Sequence, residues 1–135
     1  MPANFIDSNI LVHLAAGDPA KAERAKAVVE AGGVISVQVL NEFANVARRK
    51  LRMSWGETRG VLGVLQELLT VHSLTVEIHQ TGLALAERYG FSVYDAMIVA
   101  SALHADCTTL LSEDMQDGLS LGEGLRIVNP FRDAK

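Results

Sequence analysis

Four acids in this chain occupy comparable places in the local pattern. Asp7 directly follows the apolar run "NFI", and Glu42 lies one turn into "VQVLNEF". Asp95 leads the apolar stretch "DAMIVASAL", and Asp114 follows "TTLLS" in "LLSEDMQDG". If folding gathered them, two carboxylates about 4 Å apart would repel by roughly 4 kcal/mol at an effective dielectric near 20, so a cluster needs bound protons or a cation. No Lys or Arg adjoins Asp7, Asp95 or Asp114 in the sequence. Oxygen ligands without thiolate or imidazole favour a hard cation, Mg²⁺ or Mn²⁺. The four histidines (His13, His72, His79, His104) have no H-x-x-x-H spacing, which speaks against zinc. Such a cation suits phosphodiester hydrolysis, because it lowers the pKa of a bound water, and a second can stabilise the leaving oxygen. Each acid also has a plainer reading. Asp7 can cap a helix, Ser92 with Asp95 matches a capping box, Asp114 can cap a turn, and Glu42 can be a solvated flank.

What distinguishes these readings is whether the elements bring the acids to one edge. Short apolar runs alternate with helical patterns. "NFI" is a first strand, followed by a short helix over 9–16. Asp18-Pro19 supplies an N-cap with Pro at the first helical position for a helix ending at Gly32-Gly33. "VISV" is a second strand, followed by a helix over about 38–51. Ser54 with Glu57 reads as a capping box for a helix through about Leu69. "HSLTV" is a third strand, leading to a helix over about 77–89 that stops at Gly90. A nearly all-apolar helix follows over 93–105, then "TTLLS" as a fourth strand and "LRIVN" as a possible fifth. Alternation of this kind predicts βαβ units and a parallel sheet covered on both faces, whose ligands sit beyond the strand C-terminal ends. The apolar stripe Val39, Leu40, Phe43, Val46, Ala47, Leu51 puts Glu42 at its edge, facing a crevice rim. Gly60 and Gly63 are spaced for close helix packing.

The totals fit one domain over residues 1–135. Apolar residues make up 49% and charged residues 21%, an ordinary globular composition. No apolar run approaches the roughly 18 residues of a membrane span. "MPANFID" lacks the pattern of a secretion signal, and a lone Cys107 forms no internal disulfide, so a cytoplasmic protein is expected. The net charge of −4 argues against broad nucleic-acid binding but not against a nuclease whose acids hold metal. Four of the 12 basic residues cluster as Arg48, Arg49, Lys50 and Arg52. There is no Walker loop, no G-x-G-x-x-G and no G-x-S-x-G.

The segments "FIDSNIL", "ISVQVLNEF", "VYDAMIVASAL" and "LLSEDMQDG" resemble, in order and spacing, the four acidic motifs of the PIN domain, and in particular the VapC-type toxin ribonucleases of bacterial toxin–antitoxin modules. The likeness runs from about Asn4 to Asn129. It implies a three-layer α/β/α sandwich around a parallel sheet of four to five strands. It also implies a metal-dependent endoribonuclease in which Asp7, Glu42, Asp95 and Asp114 surround Mg²⁺ or Mn²⁺. Ser8 stands where the family often has Thr, and Asn9 matches the motif. Ser8, Asn9 and Ser112 are therefore supporting candidates, with Asp117 as an extra outer group. The family further implies a homodimer, an inhibitory antitoxin and a structured RNA substrate such as tRNA. Arg49 lies seven residues beyond Glu42, on the same helix face about 10 Å further along, so Arg49, and less so Arg48, are candidate substrate contacts. The plainer reading is that these cations complement a helix C-terminus. Rival readings are a non-catalytic binding module, or another Mg²⁺-dependent α/β domain. A haloacid-dehalogenase-type phosphatase wants a second Asp where Asn9 stands, and a phosphoacceptor receiver wants a late Lys that "TTLLS" lacks.

Overall fold

The computed structural model describes residues 3–122 and 124–132. In chain order the elements are β1 (Asn4–Ile6), α1 (Ser8–Val12), α2 (Pro19–Glu30), β2 (Val34–Ser36), α3 (Val37–Arg49), α4 (Trp55–Leu68), β3 (Thr70–His72), α5 (Val76–Tyr89), α6 (Val93–His104), β4 (Thr109–Leu111), β5 (Ser120–Leu121) and β6 (Leu125–Val128). One sheet runs β3-β2-β1-β4-β6-β5, parallel throughout except for the antiparallel β5–β6 edge. The crossover connections account for the layering. From β1 the chain steps outward through β2 to β3, and the intervening helices form one packed set, with α3 on α1 and α4 and against β2. It then returns across the sheet to β4 through α5 and α6, which pack on each other, and α6 rests on β2 and β4. The result is a mixed α/β fold with a central parallel sheet flanked by helices.

The central strands β1, β2 and β4 are short and mostly buried, and β1 and β2 are handed at once to helices. Phe5, Ile6, Ile35, Leu110 and Ile127 are fully buried at the centre. Capping side chains fix the starts. Asp18 accepts from the Ala20 and Lys21 amides, Ser54 and Glu57 close a reciprocal capping box, and Gly90 ends α5 at φ +76°. α6 buries Ala96 through Ala102, as its near-uniform apolarity requires.

The structure departs from the sequence expectations at four places. The sheet has six strands rather than four to five, because the two-residue β5 adds an edge too short to leave a period-two signal. The third strand is Thr70–His72 rather than His72–Val76. Thr75 is taken as the N-cap of α5, accepting from the Ile78 amide, so the strand must end before it. The first helix is shorter, ending at Val12. Gly60 and Gly63 do not mediate close packing, since a Cβ on either would meet nothing within 4 Å. Close approach occurs instead at Gly82, where a Cβ would lie 2.6 Å from Met97 Sδ of α6.

Candidate active site

Between β1 and β4 the sheet changes its direction of build: β2 lies on one side of β1, β6 on the other side of β4. This reversal opens a crevice beyond the strand C-terminal ends. Asp7 leaves β1 there and Ser112 leaves β4. The Asp7 amide donates to Leu111 O at 2.9 Å and the Ser112 amide to Val128 O at 3.0 Å, so both side chains sit on anchored backbone. Asp7 is the N-cap of α1, its Oδ1 accepting from the Ser8 amide at 2.7 Å. Its Oδ2 accepts from Ser112 Oγ at 2.9 Å and Asn9 Nδ2 at 3.2 Å. Ser8 Oγ donates to Glu42 Oε1 at 2.9 Å and lies 3.4 Å from Asp7 Oδ1, so one hydroxyl sits between two acids. Gln38, a turn before Glu42 on α3, donates from Nε2 to Glu42 Oε2 at 3.2 Å and to Tyr94 O at 3.0 Å. That second bond ties α3 to the first turn of α6, where the Asp95 amide is held by Ser92 Oγ at 3.2 Å.

Asp7, Glu42, Asp95 and Asp114 thereby line one open cavity of about 500 Å³, together with Ser8 and Asn9. Asp7 is only 5% exposed. Burial, and then the charges of Glu42 and Asp95, push its pKa up to about 6 against the opposing hydrogen bonds from Ser112 and the Ser8 amide. Burial likewise raises Asp95, with the Ser92 hydrogen bond opposing and Asp114 adding to the rise. None of the four acids forms an ion pair among the described residues. Nor do any three Asp, Glu, His or Cys side chains among them converge tightly enough to hold an ion as they stand. The hydroxyls of Ser8 and Ser112 and the amides of Asn9 and Gln38 donate to the carboxylate oxygens of Asp7 and Glu42. This donor set, oxygen-only and uncompensated in charge, fits a hard divalent cation.

The site also contains residues that the sequence reading did not single out. Glu113 lines the cavity beside Asp114, its Oε1 2.8 Å from His13 Nε2 and its Oε2 2.5 Å from Lys21 Nζ. Burial alone would raise its pKa, but the hydrogen bonds and charges of Lys21 and His13 outweigh it and hold the carboxyl below its usual value. The Glu113 amide donates to Asn9 Oδ1 at 3.1 Å, so one loop carries Ser112 to Asp7, Glu113 to α1 and α2, and Asp114 to the rim. Asn45 and Lys50 also line the cavity. Three earlier candidates lie elsewhere. Asp117 accepts from the Asn129 amide at 2.8 Å and from Arg132 at 3.1 Å, anchoring the segment after β6. Arg48 donates to Met53 O at 2.7 Å, with its guanidinium 4.2 Å over the exposed Trp55 ring. Arg49 is exposed in the last turn of α3, next to Lys50. A second cavity, about 520 Å³, lies between α5, the end of α6 and Thr108 before β4. It sits at the N-terminal edge of the sheet and has Asp106 as its one carboxylate, so it offers no comparable chemistry.

A PIN domain pattern matches residues 5–116. Several solved structures share the fold. VapC20 of Mycobacterium tuberculosis, a sarcin–ricin loop cleaving toxin, is 19% identical with a TM-score of 0.68, covering 83% of this chain and 90% of its own. A toxin–antitoxin complex from Klebsiella pneumoniae is 23% identical at a TM-score of 0.71, over 95% and 98%. VapBC2 of Rickettsia felis, bound to a DNA fragment from its promoter, is 16% identical at 0.66, over 92% and 96%. At these identities the likeness concerns the fold. No curated protein sequence matches the chain.

Proposed function

The chain belongs to the PIN domain family, and from that premise we propose that it is a metal-dependent endoribonuclease of the VapC toxin type, acting in the cytoplasm through one nuclease domain over residues 1–135. The observation that carries this reading is the convergence of Asp7, Glu42, Asp95 and Asp114 on one cavity at the sheet's switch point. Asp7, Asp95 and Asp114, with Glu42, would hold Mg²⁺ or Mn²⁺. When bound, the cation supplies an acidified water and neutralises charge on the phosphate.

The chain's own groups do the rest. Ser112 and Asn9 fix the orientation of Asp7, and Ser8 sets the separation of Asp7 from Glu42. Glu42 and Asp95, less buried than Asp7, are placed to accept a proton from the attacking water. The RNA is of the structured kind, whose unstacked nucleotides can enter a recessed site. The toxin–antitoxin character of the Klebsiella complex supports an inhibitory protein partner, and family likeness supports a homodimer.

The test is cleavage of total cellular RNA by purified, partner-free protein. Discrete fragments that require Mg²⁺ or Mn²⁺, disappear with chelator and are absent with folded Asp95→Asn are expected. Full metal-dependent cleavage by Asp95→Asn would remove Asp95 from the site. Absence of cleavage by folded wild-type protein, against RNA pools that include intact tRNA and ribosomal RNA, would favour a binding module.

A further inference from the structure

Beside the acid-lined cavity lies a smaller cleft of about 400 Å³, and the two share Glu42 and Asn45 as a common wall. The cleft is completed by Gln38, Asn41, Leu74 and Tyr94. We propose that it seats one unstacked nucleobase of the RNA, adjacent to the phosphate that is cut. The proposal rests on the nuclease reading and adds to it a residue-level basis for sequence preference.

Three observations favour a base. First, the cleft is built rather than incidental. Gln38 is 8% exposed, and its amide holds both Glu42 Oε2 and Tyr94 O, fixing the α6 turn that carries the Tyr94 ring against α3. Second, its lining suits a flat, neutral heterocycle. Tyr94, 70% exposed, offers a ring face, and Leu74 offers an apolar wall. The Asn41 and Asn45 amides have no hydrogen-bond partner within the chain among the described residues, leaving a donor and an acceptor each for a base edge. Third, the cleft has no Lys or Arg in its lining and has Glu42 on one wall. That disfavours a phosphate or an acidic peptide, whereas an uncharged base pays no such electrostatic cost. The phosphate belongs next door, where Lys50 lies and where the four acids would hold the cation. The exposed Val37, Val76 and Val93 make a contact with another protein chain the competing occupant.

The experiment compares wild type, Tyr94→Ala, Tyr94→Phe and Asn41→Asp. It measures steady-state kinetics on single-stranded oligoribonucleotides, cut-site maps on a randomised RNA library, Mn²⁺ uptake and sedimentation. Loss of one stacking platform raises KM about ten-fold or more in Tyr94→Ala, while Tyr94→Phe, which keeps the ring, stays within about two-fold of wild type. In both, kcat and Mn²⁺ uptake are retained. Asn41→Asp changes the preferred nucleotide at one position flanking the cut. Unchanged KM and unchanged cut sites in Tyr94→Ala overturn the subsite while leaving the nuclease intact. A Tyr94→Phe loss equal to that of Tyr94→Ala overturns stacking. If Tyr94→Ala loses activity in step with dissociation of a dimer, the cleft is a protein interface and the proposal fails. If wild type cleaves no RNA, the nuclease reading itself fails and the subsite falls with it.

Discussion

Asp7 is placed at a cost to the metal-free protein. Its carboxyl titrates at about 6 when folded, against an ordinary 3.8, because burial and then the neighbouring Glu42 and Asp95 charges disfavour the anion. Between those values the folded state binds a proton that the unfolded state has lost. Stability of the metal-free protein therefore falls as pH rises from about 4 to about 6, then levels off. At 1.36 kcal/mol per pKa unit the penalty at neutral pH is on the order of 1–3 kcal/mol. Asn at this position removes the charge and remains a good N-cap. In chelator at pH 7.5, Asp7→Asn should thus be more stable than wild type by about that amount, shown by a higher denaturant midpoint, and added Mn²⁺ should close or reverse the gap. A less stable Asp7→Asn in chelator would mean that the acid is not penalised by its surroundings. The four acids were legible because each is flanked by its own apolar run. Glu113 and Gln38 were not, because what defines them is contact between distant segments: Glu113 meets His13 and Lys21 about a hundred and about ninety positions back in the chain, Gln38 holds the Tyr94 carbonyl of α6, and no local pattern records that.

At the scale of elements, the site depends on β1 and β2 being close enough to hold Asp7 where α3 presents Glu42. Gly33 sits at that junction, and a Cβ there would lie 2.7 Å from the Asn4 carbonyl oxygen of β1 and 3.1 Å from Ile6 Cδ1. The carbonyl is fixed by the sheet and cannot yield as a side chain can. Gly33→Ala should therefore destabilise by about 1–3 kcal/mol. Gly60→Ala and Gly63→Ala, in open space on α4, should leave stability unchanged or raise it by up to about 1 kcal/mol. Thermal melts of the three variants check both statements. A neutral Gly33→Ala would mean that the two strands can separate without harm. Helices were legible in the sequence where caps and apolar stripes coincided, as at Ser54–Glu57. Strand β3 was misplaced because "HSLTV" has the period of a strand, while Thr75 is committed to capping α5. The small-residue pair Gly60/Gly63 misled because spacing says nothing of which face a neighbour covers. Gly82, with Met97 against it, is the glycine at a close helix–helix contact.

For the whole molecule, the parallel alternation read from the sequence was enough to place all four acid-bearing junctions at one sheet edge. Edge strand β5 was not legible, and no residue of it lines the cavity, whereas "LRIVN" marked β6, whose Val128 carbonyl anchors the Ser112 backbone. The overall charge of −4 sets a second condition on the proposed function, since an acidic protein would have to draw RNA to an acidic site. A cation held by the four acids would supply part of that attraction. Lys50, on the cavity wall at the end of α3, with Arg49 beside it, supplies a local positive rim. Lys50→Glu should raise KM for RNA about ten-fold at low ionic strength and flatten its salt dependence, with Mn²⁺ affinity retained. Equal KM values across a salt series would assign those cations to the helix terminus alone.

The most direct measurement is a calorimetric Mn²⁺ titration of wild type and Asp7→Asn at pH 7.5. Saturable binding to wild type, with release of protons and at least about ten-fold weaker binding to the folded variant, is the predicted result. Identical isotherms for the two proteins would contradict it, because the acids gathered at the switch point would then not be where the cation is held.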